Sequence, residues 1–148
     1  HMKPRRQVTQ RDKILLFDVG VRNALLGLHD RPPSPDQRGS LFEQWFTLQV
    51  IYLAHALRRN WVVSSFRTAA GAEVDLVIER EKDLIGIEIK ASRRIASSDA
   101  RGLRSLQEAV GQYKPLRRWI VFQGPLAQQF EDGTLGLPYA EALKRLQE

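Results

Sequence analysis

The chain contains no cysteine. This absence excludes disulfide bonds and thiolate metal sites, and it is consistent with a reducing compartment, so we expect a cytoplasmic protein. Long hydrophobic runs are missing as well. No apolar stretch approaches the roughly 20 residues that a membrane span requires, and no hydrophobic segment typical of a signal peptide occurs. We therefore expect no membrane partner.

Acidic residues are in the minority. The 148 residues include 23 Lys and Arg against 17 Asp and Glu, a net charge of +6, and 17 of the basic residues are arginine. The planar guanidinium group of arginine matches phosphate oxygens better than the point charge of lysine. The composition therefore favours a polyanionic partner such as DNA, although a generally basic and well-solvated surface would have the same composition.

The length fits one domain with a core of its own. Residues 1–12, which begin with His1-Met2, are polar and basic without periodicity. We interpret them as an expression-tag remnant and a flexible lead-in, and residues 13–148 as a single domain.

Hydrophobic periodicity and capping residues predict the order strand, helix, long helix, three strands, helix, strand, helix. The predicted elements are a strand at 13–17, a helix at 19–26 capped by Asp18, a proline-rich loop at 31–36, a long apolar helix at 41–59, a strand at 61–68, a hairpin at 73–90, a helix to 113 capped by Ser97, Ser98 or Asp99, a strand at 118–122 and a helix at 138–146.

The hairpin carries the most informative residues. Strand residues alternate between two faces. If the turn is centred between Glu81 and Lys82, the numbers of facing residues add up to 163, and Asp75 lies opposite Glu88. One face is then aliphatic, formed by Val74, Leu76, Ile78, Ile85, Ile87 and Ile89, and the other carries Glu73, Asp75, Val77, Gly86, Glu88 and Lys90.

Opposed carboxylates at Asp75 and Glu88 repel each other unless a cation lies between them. Carboxylate oxygens suit Mg²⁺ or Mn²⁺, and Lys90 on the same face could orient a water molecule or stabilise charge on a phosphate. The spacing therefore predicts a divalent-metal site. The alternative is an ordinary solvated face on which Lys90 pairs with Glu73 or Glu88.

In this setting the sequence resembles the PD-(D/E)XK nuclease superfamily. Asp75 matches its motif aspartate, Glu88-Ile-Lys90 its (D/E)-x-K element, Glu43 the acid of the preceding helix and Ser92 a small polar residue after the lysine. No proline precedes Asp75, where this sequence has Val74. The resemblance implies a restriction-endonuclease-like α/β core, with a central mixed sheet and an antiparallel three-stranded meander flanked by helices. Glu43 has a second explanation, because Ser40-Leu-Phe-Glu43 has the pattern of a capping box.

A second resemblance covers residues 13–148. Four segments are similar to domain of unknown function 4143, a C-terminal domain of prokaryotic AAA+ ATPases: 14–26, 38–43, 71–78 and 87–92. Such proteins carry an N-terminal P-loop ATPase module, and the Gly-x-x-x-x-Gly-Lys-(Ser/Thr) motif does not occur here. The resemblance implies that this chain is the C-terminal part of a longer ATPase, whose ATPase module would be a partner.

We therefore expect a Mg²⁺- or Mn²⁺-dependent nuclease domain that hydrolyses DNA phosphodiester bonds. Asp75 and Glu88 would hold the metal, Lys90 would assist the water, and Glu43 would support a ligand or a second ion. Phosphates would be held by Ser92, Arg93, Arg94, Arg101 and Arg104. The alternatives are an inactive nuclease-fold module that binds DNA or a partner, and a scaffold through which the ATPase forms oligomers.

Overall fold

The computed structural model describes residues 15–28 and 30–148. Its helices are α1 (Val19–Leu25), α2 (Pro35–Ala56), α3 (Arg101–Val110) and α4 (Tyr139–Arg145), with a short 3₁₀ helix at Ser97–Ala100. Its strands are β1 (Val62–Arg67), β2 (Glu73–Glu79), β3 (Leu84–Lys90), β4 (Leu116–Phe122), β5 (Gln128–Gln129) and β6 (Leu135–Pro138).

Within the described residues, six strands form one mixed sheet in the order β1-β2-β3-β4-β6-β5. β1 is antiparallel to β2, β2 to β3, and β5 to β6, whereas β4 runs parallel to both β3 and β6. We call the end at which β3, β4 and β6 finish the carboxyl end of the sheet, and the opposite end the amino end. The protein has a mixed α/β fold with helices on both faces of the sheet. This confirms the predicted fold class, a mixed sheet flanked by helices.

One face of the sheet is covered by α2 and α4. Phe46 and Val50 of α2 and Ile87 of β3 are fully buried there. Complete burial of such side chains stabilises a fold by about 1.5–3 kcal/mol each. The apolar character of α2 is explained by this contact.

The other face is covered by α3, through the buried Leu103 and Leu106. A Cβ atom at Gly86 would lie 2.7 Å from a methyl group of Leu106, so the absence of a side chain there lets α3 approach β3 closely. The sequence predicted a polar second face for the hairpin. Instead, all of β3 except Glu88 and Lys90 is buried, because helices lie on both faces.

The predicted hairpin register is confirmed for four pairs, from Leu76 opposite Ile87 to Glu79 opposite Leu84. The predicted alternation fails at Val74, which packs with Val77 on the α3 face. The register between β1 and β2 shifts by one residue here. Ser64 pairs with Val77, and Phe66, two residues later, pairs with Val74. A bulge of this kind turns the residues before it to the opposite face.

The long helix begins six residues earlier than predicted. Pro35 is its first residue, and Ser34 is its N-cap, with a capping box formed by Gln37. Proline is compatible with the first helical position because that backbone nitrogen has no intrahelical partner. The proposed capping box from Ser40 to Glu43 is therefore wrong, since Ser40 lies inside the helix.

The smaller predictions had different outcomes. Asp18 caps α1 as predicted, by accepting a hydrogen bond of 2.9 Å from the Val21 amide. Residues 15–17 are not a strand, and the rest of that predicted strand and the lead-in at 1–12 lie outside the described residues. The short strands β5 and β6 were not predicted, because Gln128–Gln129 is polar and Leu135–Pro138 is interrupted by glycine and ends in proline.

No helix in the described ranges combines the length and hydropathy that crossing a membrane would demand.

Candidate metal site at the carboxyl end of the sheet

Asp75, Glu88 and Lys90 lie at the carboxyl end of the sheet. Asp75 is the third residue of β2, and Glu88 and Lys90 belong to the last three residues of β3. Because the two strands are antiparallel in the register described above, the start of β2 lies beside the end of β3. The structure therefore brings these three predicted residues together.

The Asp75 carboxylate is held by the neighbouring strand. It accepts a hydrogen bond of 2.8 Å from the backbone amide of Ile89. The backbone pairing of β2 with β3 ends at Leu76 and Ile87, so this side chain continues the contact between the strands where their backbones cease to pair. The Asp75 carboxylate thus lies against the end of β3, where its charge acts on Glu88.

Glu88 accepts a hydrogen bond of 2.9 Å from the Lys90 ammonium group. The Glu88 side chain is 15% exposed and that of Lys90 is 35% exposed. Burial and then the charge of Asp75 raise the pKa of Glu88 to about 7, although Lys90 opposes the shift. At neutral pH the carboxylate is thus poised between its charged and neutral forms.

Lys90 remains a cation. Burial opposes its charge, but the hydrogen bond to Glu88 and the charges of Asp75 and Asp99 raise its pKa above the ordinary value. Asp99, in the 3₁₀ helix, is a functional candidate that the sequence indicated only as a capping residue. It does act near a cap, because its carboxylate accepts a hydrogen bond of 2.8 Å from the Ala96 amide.

The donor chemistry of this site fits a divalent cation. Two carboxylates whose charges disfavour each other would be stabilised by a cation, and Mg²⁺ commonly binds one or two protein carboxylates with waters and phosphate in its other positions. In the part of the chain that the structure describes, no group of three His, Asp or Glu side chains could hold a metal ion. Asp75 and Glu88 are the predicted protein ligands that the two strands of the hairpin bring together here.

Glu43 lies in the first half of α2 and is half-buried. Its helix covers the face formed by Ile85, Ile87 and Ile89, across the sheet from Gly86 and its α3 contacts. Ser40, which could have explained Glu43 as a capping partner, instead accepts a hydrogen bond of 2.9 Å from Arg22. The role of Glu43 as a ligand stays a prediction.

The residues after β3 form an exposed turn at the same end of the sheet. The Ser92 hydroxyl donates to the Arg94 carbonyl at 2.5 Å, and the Ser92 carbonyl accepts from the Gln123 amide at 3.0 Å. Ser92 thus shapes the turn, and the exposed side chains of Arg93 and Arg94 follow it. These two arginines lie within three to four residues of Lys90 along the chain.

The two arginines of α3 differ in their surroundings. Arg101 is exposed at the first position of the helix. Arg104 donates to the Ser97 carbonyl and to the Asp132 carboxylate, both at 3.1 Å. Arg101 is therefore accessible to a phosphate, whereas Arg104 is committed to contacts that hold α3 against its neighbours.

Fold and site together define a mixed α/β domain with a carboxylate and lysine site at the carboxyl end of its sheet. The family described as Domain of unknown function (DUF4143) matches residues 38–141, which is more than half of the chain. The chain belongs to this family. A comparison with curated proteins finds no match.

Proposed function

We propose that this domain is a metal-dependent nuclease of the PD-(D/E)XK type that hydrolyses DNA phosphodiester bonds. The observation that carries the proposal is the contact group at the carboxyl end of the sheet. There Asp75 is fixed by the Ile89 amide, Glu88 lies beside it with a raised pKa, and Lys90 is bonded to Glu88. Ligands in open α/β sheets commonly bind at this end.

Each residue has a distinct role in the proposed reaction. Asp75 and Glu88 would hold Mg²⁺ or Mn²⁺, which when bound would supply Lewis-acid stabilisation of charge on the phosphate. Lys90 would orient the attacking water and stabilise charge that develops on the phosphate oxygens. Glu43 would assist a ligand or a second ion from α2.

The substrate assignment is supported by the charge around the site. Arg93, Arg94 and Arg101 are exposed cations at the same end of the sheet as Asp75 and Glu88, and arginine forks bind phosphate oxygens in bidentate fashion. Ser92 would support them by shaping the turn. Arg104 would contribute indirectly, because it anchors α3, on which Arg101 lies.

Plasmid cleavage tests this function. Supercoiled DNA would be incubated with Mg²⁺ or Mn²⁺ and wild-type protein, Lys90→Ala, Asp75→Asn or Lys144→Ala, the last being a matched lysine variant at an exposed position on α4. We expect Lys90→Ala and Asp75→Asn to reduce cleavage by about 100-fold or more, and Lys144→Ala to cut like the wild type. Equal cleavage by all four proteins would identify a contaminating nuclease and refute the proposal.

A non-catalytic DNA-binding module is the second candidate. It is favoured by the absence of a three-ligand metal group among the described residues. The same experiment separates the two, because a binding module would retard DNA without cutting it. Its affinity would fall steeply with added salt, since each neutralised phosphate releases counterions.

The association with an ATPase belongs to the same proposal. The resemblance to C-terminal domains of AAA+ ATPases suggests that an N-terminal ATPase module accompanies this domain and directs its action on DNA. A role as a scaffold for oligomers of that ATPase remains the third candidate. Size measurement of the isolated domain by light scattering would test it, because a scaffold should form oligomers without DNA or metal.

A further inference from the structure

A basic cleft opens at the amino end of the sheet, opposite the candidate metal site. Its volume is about 1030 Å³, and it is lined by the chain after α2, the turn between β2 and β3, the start of β4 and the end of α4. A strand of seven residues spans roughly 20 Å, so the cleft and the metal site lie at opposite ends of β3. The cleft is therefore a separate feature of the surface.

Positive charge dominates its lining. Six arginines and one lysine face it, against three acidic residues, Glu81, Asp83 and Glu148. Arg80 is neutralised by the buried Asp83, which it contacts at 2.6 and 2.7 Å. Arg117 approaches the same carboxylate at 3.0 Å but is 60% exposed. Asp83 thus holds Arg80 and Arg117 in place, and the lining keeps an excess of positive charge.

Three cations of the cleft are available to a ligand. Arg58, Arg59 and Lys82 are exposed, and their charged ends make no hydrogen bond or ion pair within residues 15–28 and 30–148. Arg58, which follows the C-cap of α2, has a positive φ of 52°, so the chain turns sharply there. Unpaired arginines that project from a sharp turn are suited to grip phosphate oxygens.

The lining of the cleft includes the indole ring of Trp61. Trp61 directly precedes β1 and is partly buried, and Leu116 and Leu135 also belong to the lining. A positively charged groove with an aromatic side chain is the arrangement by which proteins bind single-stranded nucleic acid, because the cations follow the backbone and bases stack on the ring. An acidic protein segment would use the cations but would not require the ring.

We infer that this cleft binds a single strand of nucleic acid, with Arg58, Arg59 and Lys82 on its phosphates and Trp61 against a base. The inference shares its ligand class with the proposed nuclease function but none of its residues. A strand held here would be anchored at the end of the molecule opposite the metal site.

Fluorescence anisotropy with a labelled single-stranded oligonucleotide of 20 nucleotides tests the inference. EDTA is present throughout, so that cleavage plays no part. Arg58→Ala/Arg59→Ala should weaken binding about tenfold. It should also reduce the magnitude of the slope of log K against log salt concentration by about 1.4, which corresponds to two phosphate contacts on a single strand. The matched control, Arg31→Ala/Lys144→Ala, removes two exposed cations outside the cleft and should bind like the wild type.

Two further variants examine the aromatic contact. Trp61→Leu should weaken binding at least fivefold, and Trp61→Phe should restore most of it, because base stacking contributes through an aromatic face. Thermal melting of both variants would show that they are folded. Polyglutamate of equal length should compete poorly with unlabelled oligonucleotide.

Three results would overturn the inference: unchanged affinity of Arg58→Ala/Arg59→Ala, an equal loss in the control pair, or competition by polyglutamate as strong as that by DNA. Failure of the nuclease proposal would be recognised separately. In that case the wild-type protein would not cut DNA with metal, while the binding measurements in EDTA would keep their meaning.

Discussion

Glu88 is the carboxylate of the candidate site whose pKa is raised to about 7. Its neighbours oppose one another, since Asp75 disfavours its charge and Lys90 favours it, and burial decides the balance toward the neutral form. A carboxyl group with a pKa near 7 can exchange a proton for a metal ion at physiological pH. The same residue in a purely structural ion pair would have a lowered pKa.

Replacement of Glu88 should therefore stabilise the metal-free protein at high pH. The pKa of Glu88 is about 7 in the folded protein, against an ordinary value of 4.5. Its contribution to the free energy of unfolding is therefore fully present only below pH 4.5, and it is lost as the pH rises through 7. Glu88→Gln should raise the free energy of unfolding by about 3 kcal/mol at pH 8, with most of the gain gone at pH 5. Urea denaturation in EDTA measures both values.

Glu79→Gln is the matched control for that experiment. Hydrogen bonding and the charge of Lys114 lower the pKa of Glu79, so its contribution to stability is present at neutral pH and is lost only in acid. Glu79→Gln should not gain stability as pH rises. If both variants responded to pH alike, the special environment of Glu88 would be refuted.

At the scale of elements, close approach of α3 to the hairpin sets the shape of the site. Gly102, in the first turn of α3, touches the start of β2. A Cβ atom there would lie 1.8 Å from the backbone oxygen of Glu73, two residues before Asp75. Backbone atoms cannot yield as a flexible side chain would, so the helix and the strand depend on this glycine.

Gly102→Ala should destabilise the protein by about 1–3 kcal/mol, the usual cost of overpacking. Gly39→Ala provides the contrast, because Gly39 lies in α2 and a Cβ atom there would meet nothing within 4 Å. That substitution should stabilise the protein by about 0.5–1 kcal/mol through helix propensity. Thermal or urea unfolding compares the two, and equal effects would contradict the proposed contact.

The hairpin was the most predictable element from sequence. Its aliphatic alternation allows few registers, and a slip by one residue would expose the buried set, so the turn at 81–82 and the four observed pairs follow from the pattern. The reversal at Val74 did not follow, because a bulge depends on the pairing of β1 with β2. A local pattern cannot report a contact between distant segments.

The same limit applies to the site. Asp75, Glu88 and Lys90 could be grouped from sequence because they share one hairpin. The influence of Asp99 could not, since the 3₁₀ helix comes close only through tertiary contacts. The start of α2 was missed for a different reason: three prolines near position 34 suggested a loop, although the last of them, Pro35, is compatible with the first helical turn.

At the scale of the whole molecule, the sheet separates the candidate metal site from the basic cleft. The carboxyl end carries acidic groups beside exposed arginines, and the amino end carries the basic cleft. Of the net charge of +6, residues 1–14 contribute +4 and the described residues contribute +2. Because the candidate metal site and the cleft lie at opposite ends of β3, which is buried except at Glu88 and Lys90, we expect a metal bound at one end to leave the other unchanged.

Thermal unfolding with Mn²⁺ tests this separation. Binding to the folded state stabilises it by about 2.7 kcal/mol when the metal concentration is 100 times Kd. Wild-type protein and Arg58→Ala/Arg59→Ala should show the same rise in Tm, whereas Asp75→Asn should show none. A smaller rise in the cleft variant would mean that the two ends are coupled.

The most direct measurement of the central claim is anomalous diffraction from crystals soaked in Mn²⁺. We expect a peak about 2–2.5 Å from oxygen atoms of both Asp75 and Glu88, which disappears in Asp75→Asn crystals prepared in the same way. Mn²⁺ peaks confined to other places, or a peak that persists in Asp75→Asn, would contradict the assignment of this site as a metal centre.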